Sequence, residues 1–199
     1  MGADALLLVT PYYNKTSQRG LVKHFTAIAD SVNIPIVLYN VPSRTGMTIS
    51  PAAYMELAKH PNIVATKEAS GNMDTVMQVS AYTDLDIYSG NDDEVLACLA
   101  LGGKGVISVS ANICPKEKHD EVMSFLGGSP AEALEIQKKL LELDKAMFMD
   151  VNPIPVKEAL NIMGFNAGEC RLPLCPMEQA QKDRLHGIME QMGLVGKIS

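Results

Sequence analysis

Long apolar runs are missing from this sequence: no stretch approaches the roughly 20 residues that span a bilayer. The opening Met1-Gly2-Ala3-Asp4 has no basic segment and no signal-peptide cleavage pattern. Asn14-Lys15-Thr16 matches a glycosylation acceptor, but without an export signal it is expected to be a chance match, and the chain to be cytoplasmic. A basic excess is missing as well. The 17 Lys and Arg against 23 Asp and Glu give a formal charge of −6 and a pI near 5.2. With no basic stripe and no run of like charge, a nucleic-acid partner is not expected. Cys98, Cys114, Cys170 and Cys175 show no Cys-x-x-Cys spacing, which favours free thiols. His24, His60, His119 and His186 never pair at i, i+4, so neither a metal site nor a cofactor is expected.

What is present is enough apolar material for a core: 47% of 199 residues, a length that favours one domain, with room for an appendage. Short apolar runs at Ala5–Val9, Ile34–Tyr39, Ile63–Lys67, Asp86–Ser89 and Val106–Val109 alternate with helical patterns. Most are β-branched or leucine-rich without polar alternation, as in parallel strands covered on both faces. Leu21, Phe25, Ile28 and Val32 recur at helical spacing, and Ser50-Pro51 reads as an N-cap with proline in the first turn. Asp92 to Leu101 and Pro115 to Phe125 are predicted helices, each closed by a glycine pair. After residue 128 the strands stop. Helices are predicted around Ala133–Met147, Val156–Met163 and Met177–Met192. The pattern predicts an α/β array over 1–128 and a helical region over 129–199. Gly102-Gly103-Lys104-Gly105 lacks the spacing of a phosphate loop and leads into a strand, so a helix-to-strand turn is expected there.

Polar and reactive residues collect at the strand ends. Thr10-Pro11-Tyr12-Tyr13 ends the first, Tyr39-Asn40-Val41-Pro42-Ser43-Arg44-Thr45-Gly46 the second, and Thr66-Lys67-Glu68-Ala69-Ser70-Gly71 the third. Ser89-Gly90-Asn91-Asp92 and Ser108-Val109-Ser110 end the last two. Groups at the C-terminal ends of parallel strands converge on one site. Lys67 closes an apolar strand, where desolvation favours the neutral amine that attacks a carbonyl to form a Schiff base. Read alone, it is more simply a lysine snorkelling to solvent or paired with Glu68. Tyr39 closes the neighbouring strand, within reach for shuttling protons, or simply fills space. Arg44, in a loop between Pro42 and Gly46, suits bidentate capture of a carboxylate, or is a surface arginine.

Together the segments VTPYYNK (9–15), YNVPSRTG (39–46), KEASGN (67–72), SGND (89–92) and GGKGVIS (102–108) resemble the dihydrodipicolinate synthase family. That family belongs to the larger group that includes N-acetylneuraminate lyase. The match runs from about Ala3 to beyond Ile113, and more loosely through the helical end. The resemblance implies a (β/α)₈ TIM barrel, of which this chain holds strands 4–8, followed by a helical appendage. It implies that Lys67 forms the imine with pyruvate and that Tyr39 relays protons. Tyr13 joins that relay from a neighbouring subunit of a homo-oligomer, and Arg44 holds the carboxylate of aspartate semialdehyde. Gly90 and the Ile107 carbonyl line the pyruvate side. The reaction implied is condensation to 4-hydroxy-tetrahydrodipicolinate. A sugar-acid or N-acetylneuraminate lyase is the nearest alternative, and Arg44 argues against it.

The resemblance also departs from the family. The Schiff-base lysine closes the sixth strand there and the third here, so three βα units of the family are absent ahead of Met1, as they would be if Met1 were an internal methionine of a longer enzyme. Family members hold the pyruvate carboxylate on a Gly-Thr-Thr-Gly-Glu segment, and this chain contains no adjacent threonines. Of the family's feedback lysine pocket little beyond Tyr12 remains. A catalytically silent fragment is therefore the second class of reading. Five strands cannot close a barrel in which strand number, tilt and stagger are linked. The edges at Ala5–Val9 and Val106–Val109 would offer unpaired backbone to other chains. Purified 1–199 is expected to turn over far more slowly than a full-length relative. Each lost preorganised donor costs about 10²–10³ in rate, and size-exclusion should show soluble aggregate or mixed oligomer. Family-like turnover from a monodisperse preparation would refute this.

Overall fold

A computed structural model describes residues 2–196. The chain divides into two compact units between Ile107 and Ser108. The first contains every described strand: β1 (Leu6–Val9), β2 (Ile36–Asn40), β3 (Ile63–Glu68), β4 (Asp86–Ser89) and β5 (Gly105–Val106). All are parallel and pair in chain order. A sequential order without a reversal point is that of a barrel segment rather than of a doubly wound sheet.

The helices of this unit are α1 (Gln18–Asp30), α2 (Pro42–Thr45), α3 (Pro51–Leu57), α4 (Met73–Tyr82) and α5 (Val95–Ala100). Ser50 caps α3 through its hydroxyl and Pro51 sits in its first turn, as read from the sequence, and Ser17 caps α1 in the same way. Leu21, Phe25 and Ala29 form the buried stripe of α1 and pack with Ile36, Leu38, Tyr54, Leu57 and Ile87 into one core under the sheet.

Three segments differ from the sequence reading. The region 42–46 is a helical turn rather than a loop, closed by Gly46 in the left-handed conformation at φ 63°. The helix from Asp92 splits into a 3₁₀ turn, Asp92–Glu94, and α5. The fifth strand stops at Val106, because Val109 has turned to helical angles (φ −87°, ψ −47°) and leads into a 3₁₀ turn at Ser110–Asn112. The sheet also alternates in exposure. One face packs on helices, while Leu7 and Val9 of β1 are 48% and 39% exposed on the other.

The second unit is helical among its described residues: α6 (Pro115–Leu126), α7 (Pro130–Ala146), α8 (Ile154–Met163) and α9 (Gln179–Gln191). The sequence division at 128/129 groups α6 with the strands, whereas the compact units group it with the helices. Leu140, Leu143, Met147, Ala159, Leu185 and Met189 form a second core. None of the described helices is long and apolar enough to cross a membrane.

Inside this unit Lys118 is 2% exposed and donates to Glu121 at 3.1 Å and to Asp144 at 2.9 Å. The three groups tie α6 to α7. Removing one partner of a buried ion pair typically costs about 3–5 kcal/mol. Lys118→Met is therefore expected to lower unfolding stability by about that amount, read by denaturant titration; a change under 1 kcal/mol would show that the cation is dispensable.

Candidate active site

Strand alternation decides which side chains share a face. Along most of their length β2 and β3 pair without interruption: Val37 with Ala65, Leu38 with Thr66, Tyr39 with Lys67 and Asn40 with Glu68. One step earlier Ile36 pairs with Ile63, so Val64 is an extra residue in β3, a bulge. Because of it, Ile63 contributes to the helix-side core while Lys67 stands on the face of Tyr39. Tyr88 of β4 is the next partner of Lys67 in the register.

The Lys67 ammonium lies 4.5 Å from the centroid of the Tyr39 ring, a cation–π contact between two half-buried groups. Burial lowers the Lys67 pKa; Asp92 opposes this and Arg44 adds to it. Burial raises the Tyr39 pKa, and Arg44 opposes that rise. The Arg44 guanidinium thus acts on both groups, which brings the ends of β2 and β3 and the α2 turn into one electrostatic neighbourhood. Arg44 itself is exposed. Lys67 is not paired with Glu68. The carboxylate is 3% exposed on the opposite face, bonded to Asn40, Tyr54 and the Ser70 amide.

Gly90 follows β4 and donates its amide to the Glu68 carbonyl at 2.7 Å. A β-carbon there would stand 2.5 Å from Ala69 Cβ and 3.1 Å from Lys67 Cε, so only glycine leaves the lysine its room. The Ile107 amide continues the ladder to the Ser89 carbonyl at 2.9 Å and ends beside Gly90. Tyr13 is 89% exposed and stands apart from this cluster. The Gly102–Gly105 segment is the expected turn: the Gly103 amide caps the Cys98 carbonyl at 2.9 Å, and Lys104 enters the sheet through Ile87.

Asp92, 2% exposed, is the acidic group that acts on Lys67, and the sequence reading passed over it although it stands in the SGND segment. Lys15 is another omission. Its ammonium would lie 2.6 Å from a β-carbon on Gly46, beside the Arg44 turn. Among the described residues no group of His, Cys, Asp and Glu is arranged to hold a metal ion. A cavity in the helical unit, lined by Lys157, Glu158, Cys170, Cys175 and Lys182, contains none of these site residues.

Residues 1–192 match the model of the dihydrodipicolinate synthetase family. The chain belongs to that family. It is 55% identical over 195 residues to a 4-hydroxy-tetrahydrodipicolinate synthase of Caldicellulosiruptor saccharolyticus, covering 98% of this chain and 66% of the relative. The corresponding Clostridium novyi enzyme is 50% identical over 192 residues, 96% of this chain and 65% of its own. The crystal structure of dihydrodipicolinate synthase from Thermotoga maritima superposes with a TM-score of 0.95 at 40% identity, covering 98% of this chain and 68% of that one. The chain thus spans about two thirds of the length of the curated relatives it matches. The fold is that of the (β/α)₈ barrel family, with β1–β5 as strands four to eight of an incomplete barrel and a C-terminal helical region.

Gly90→Ala is expected to force Lys67 or the β3 end to shift, lowering stability by about 1–3 kcal/mol as overpacking does. Denaturant melts would check this; an unchanged midpoint would mean that the neighbours give way freely.

Proposed function

We propose that the protein carrying this chain condenses pyruvate with aspartate semialdehyde to 4-hydroxy-tetrahydrodipicolinate, through an imine on Lys67. The observation that carries this reading is the Lys67–Tyr39 pair: an amine with a lowered pKa 4.5 Å from the ring of a phenol, at the C-terminal ends of paired parallel strands. The neutral Lys67 amine attacks the carbonyl carbon of pyruvate, and the oxygen leaves as water after taking up protons. Loss of a methyl proton turns the imine into an enamine, whose carbon attacks the aldehyde. Tyr39, held protonated by burial, carries protons to and from these centres.

Arg44 at the exposed rim receives the carboxylate of the semialdehyde as a bidentate partner. Its charge also keeps the lysine pKa down. Gly90 and the Ile107 carbonyl border the pyruvate side. The exposure of Tyr13 supports its use by a neighbouring subunit of a homo-oligomer. A sugar-acid lyase is less well supported, because an exposed guanidinium at Arg44 fits a carboxylate better than a chain of hydroxyls.

Borohydride added with pyruvate is expected to trap a covalent adduct on the peptide bearing Lys67. Its rate should climb with pH through a midpoint below that of an ordinary lysine, since burial lowers the pKa. Mass spectrometry locating the adduct on Lys59 or Lys104 would sink the assignment. In the complete enzyme Arg44→Ala is expected to cut kcat/KM for the semialdehyde roughly ten- to a hundredfold, the worth of a charge-assisted hydrogen bond. Unchanged semialdehyde kinetics would favour the sugar-acid reading.

A further inference from the structure

The residues following Tyr39 and Lys67 point to the other face of the sheet, and there they meet. Asn40 and Glu68 are the last register pair of β2 and β3. The Asn40 amide nitrogen lies 3.0 and 2.9 Å from the two Glu68 carboxylate oxygens. The Tyr54 hydroxyl of α3 donates to Oε2 at 3.0 Å, and the Ser70 amide to Oε1 at 2.8 Å. Asn40 is itself held, since its carbonyl oxygen accepts from the Ile49 amide at 3.0 Å. Asn40 and Tyr54 are fully buried and Glu68 nearly so. The Tyr54 phenol stays protonated, because burial and the neighbouring carboxylate push its pKa well up.

Among the described residues, every hydrogen-bond donor on Glu68 is a neutral group. A buried carboxylate without a cation is costly to keep, and an apolar side chain would pack the same space more cheaply. What the carboxylate adds is direction: it ties β2, β3, α3 and the turn after β3 to a single point, one residue from the chemistry. We propose that Glu68 is a positioning residue, which by clasping Asn40 and Tyr54 on the helix face holds Lys67 and Tyr39 at their working separation on the opposite face. The route is mechanical. The charges that act on Lys67 are those of Asp92 and Arg44. The effect on rate rests on the Schiff-base reading of Lys67, while the geometry does not.

The test uses the full-length protein that carries this chain, with Glu68→Gln, Asn40→Asp and the pair combined. Glu68→Gln sets an amide donor against the donors of Asn40, Tyr54 or Ser70. Asn40→Asp sets carboxylate against carboxylate. The combined variant exchanges amide and carboxylate and restores a bond across the strands, and the coupling is read as a double-mutant cycle. Two readouts are taken: the rate of borohydride-trapped pyruvate adduct on Lys67, and the pH midpoint of Lys67 reductive methylation, which needs no pyruvate.

Each single variant is expected to slow trapping roughly 10- to 100-fold, as a shift of about 1 Å at reacting groups does. The methylation midpoint should rise toward that of an ordinary lysine as the amine hydrates, and the combined variant should recover most of both. Singles that leave both readouts unchanged would overturn the proposal. Losses that the combined variant does not recover would overturn it too, assigning the effect to the charge at position 68. If the parent protein traps no pyruvate while the midpoint still moves in the singles and returns in the pair, the positioning role stands and the imine reading falls.

Discussion

A β-strand repeats every two residues, so a single inserted residue moves all later side chains to the opposite face. Val64 is that residue in β3. Upstream of it Ile63 faces the helix-side core, and downstream Lys67 faces the same side as Tyr39. Without the bulge, Lys67 would pair with Asn40 and point into the layer filled by Leu38, Tyr54 and Ile87, and Thr66 would stand beside Tyr39. The approach of amine to phenol, the room left by Gly90 and the buried clasp of Glu68 all follow from this one step in register.

Lys67 then sits between opposing influences. Burial and the Arg44 guanidinium favour its neutral form, and Asp92 favours its charged form. An amine held that way keeps a larger neutral fraction near neutrality than an exposed lysine. The charge of Arg44 reaches both Lys67 and Tyr39, although its side chain is exposed. The left-handed glycine closing α2 is what allows a four-residue turn to hold that arginine directly after β2.

The helical unit follows a different physical logic. Its core of Leu, Met and Ala side chains is organised around helix stripes, and its buried polar feature is the Lys118 contact with Glu121 and Asp144. In the strand unit the buried Glu68 carboxylate is satisfied by neutral donors. In the helical unit the carboxylates receive a cation. The first arrangement fixes directions, whereas the second sets one cation between the carboxylates of α6 and α7.

The parallel βα order, four of the five strands to within two residues, the serine cap of α3, and the strand-end placement of Lys67, Tyr39, Arg44 and Gly90 were legible in the sequence. These are local properties: apolar runs, capping residues and glycines act over a few positions, and the family segments are contiguous. The end of β5 at Val106 and the 3₁₀ turn at Asp92–Glu94 were not legible, because backbone angles there answer to distant partners. Nor was the fate of Glu68, which read as a possible partner of Lys67. Its true partners, Asn40 and Tyr54, lie 28 and 14 residues earlier in the chain, and only the tertiary structure brings them together. The same holds for Asp92 and Lys67, and for Lys15 and Gly46. Which face a strand residue occupies depends on the whole register, and the register was set by a bulge at Val64, a β-branched residue in an apolar run with no local mark of its role.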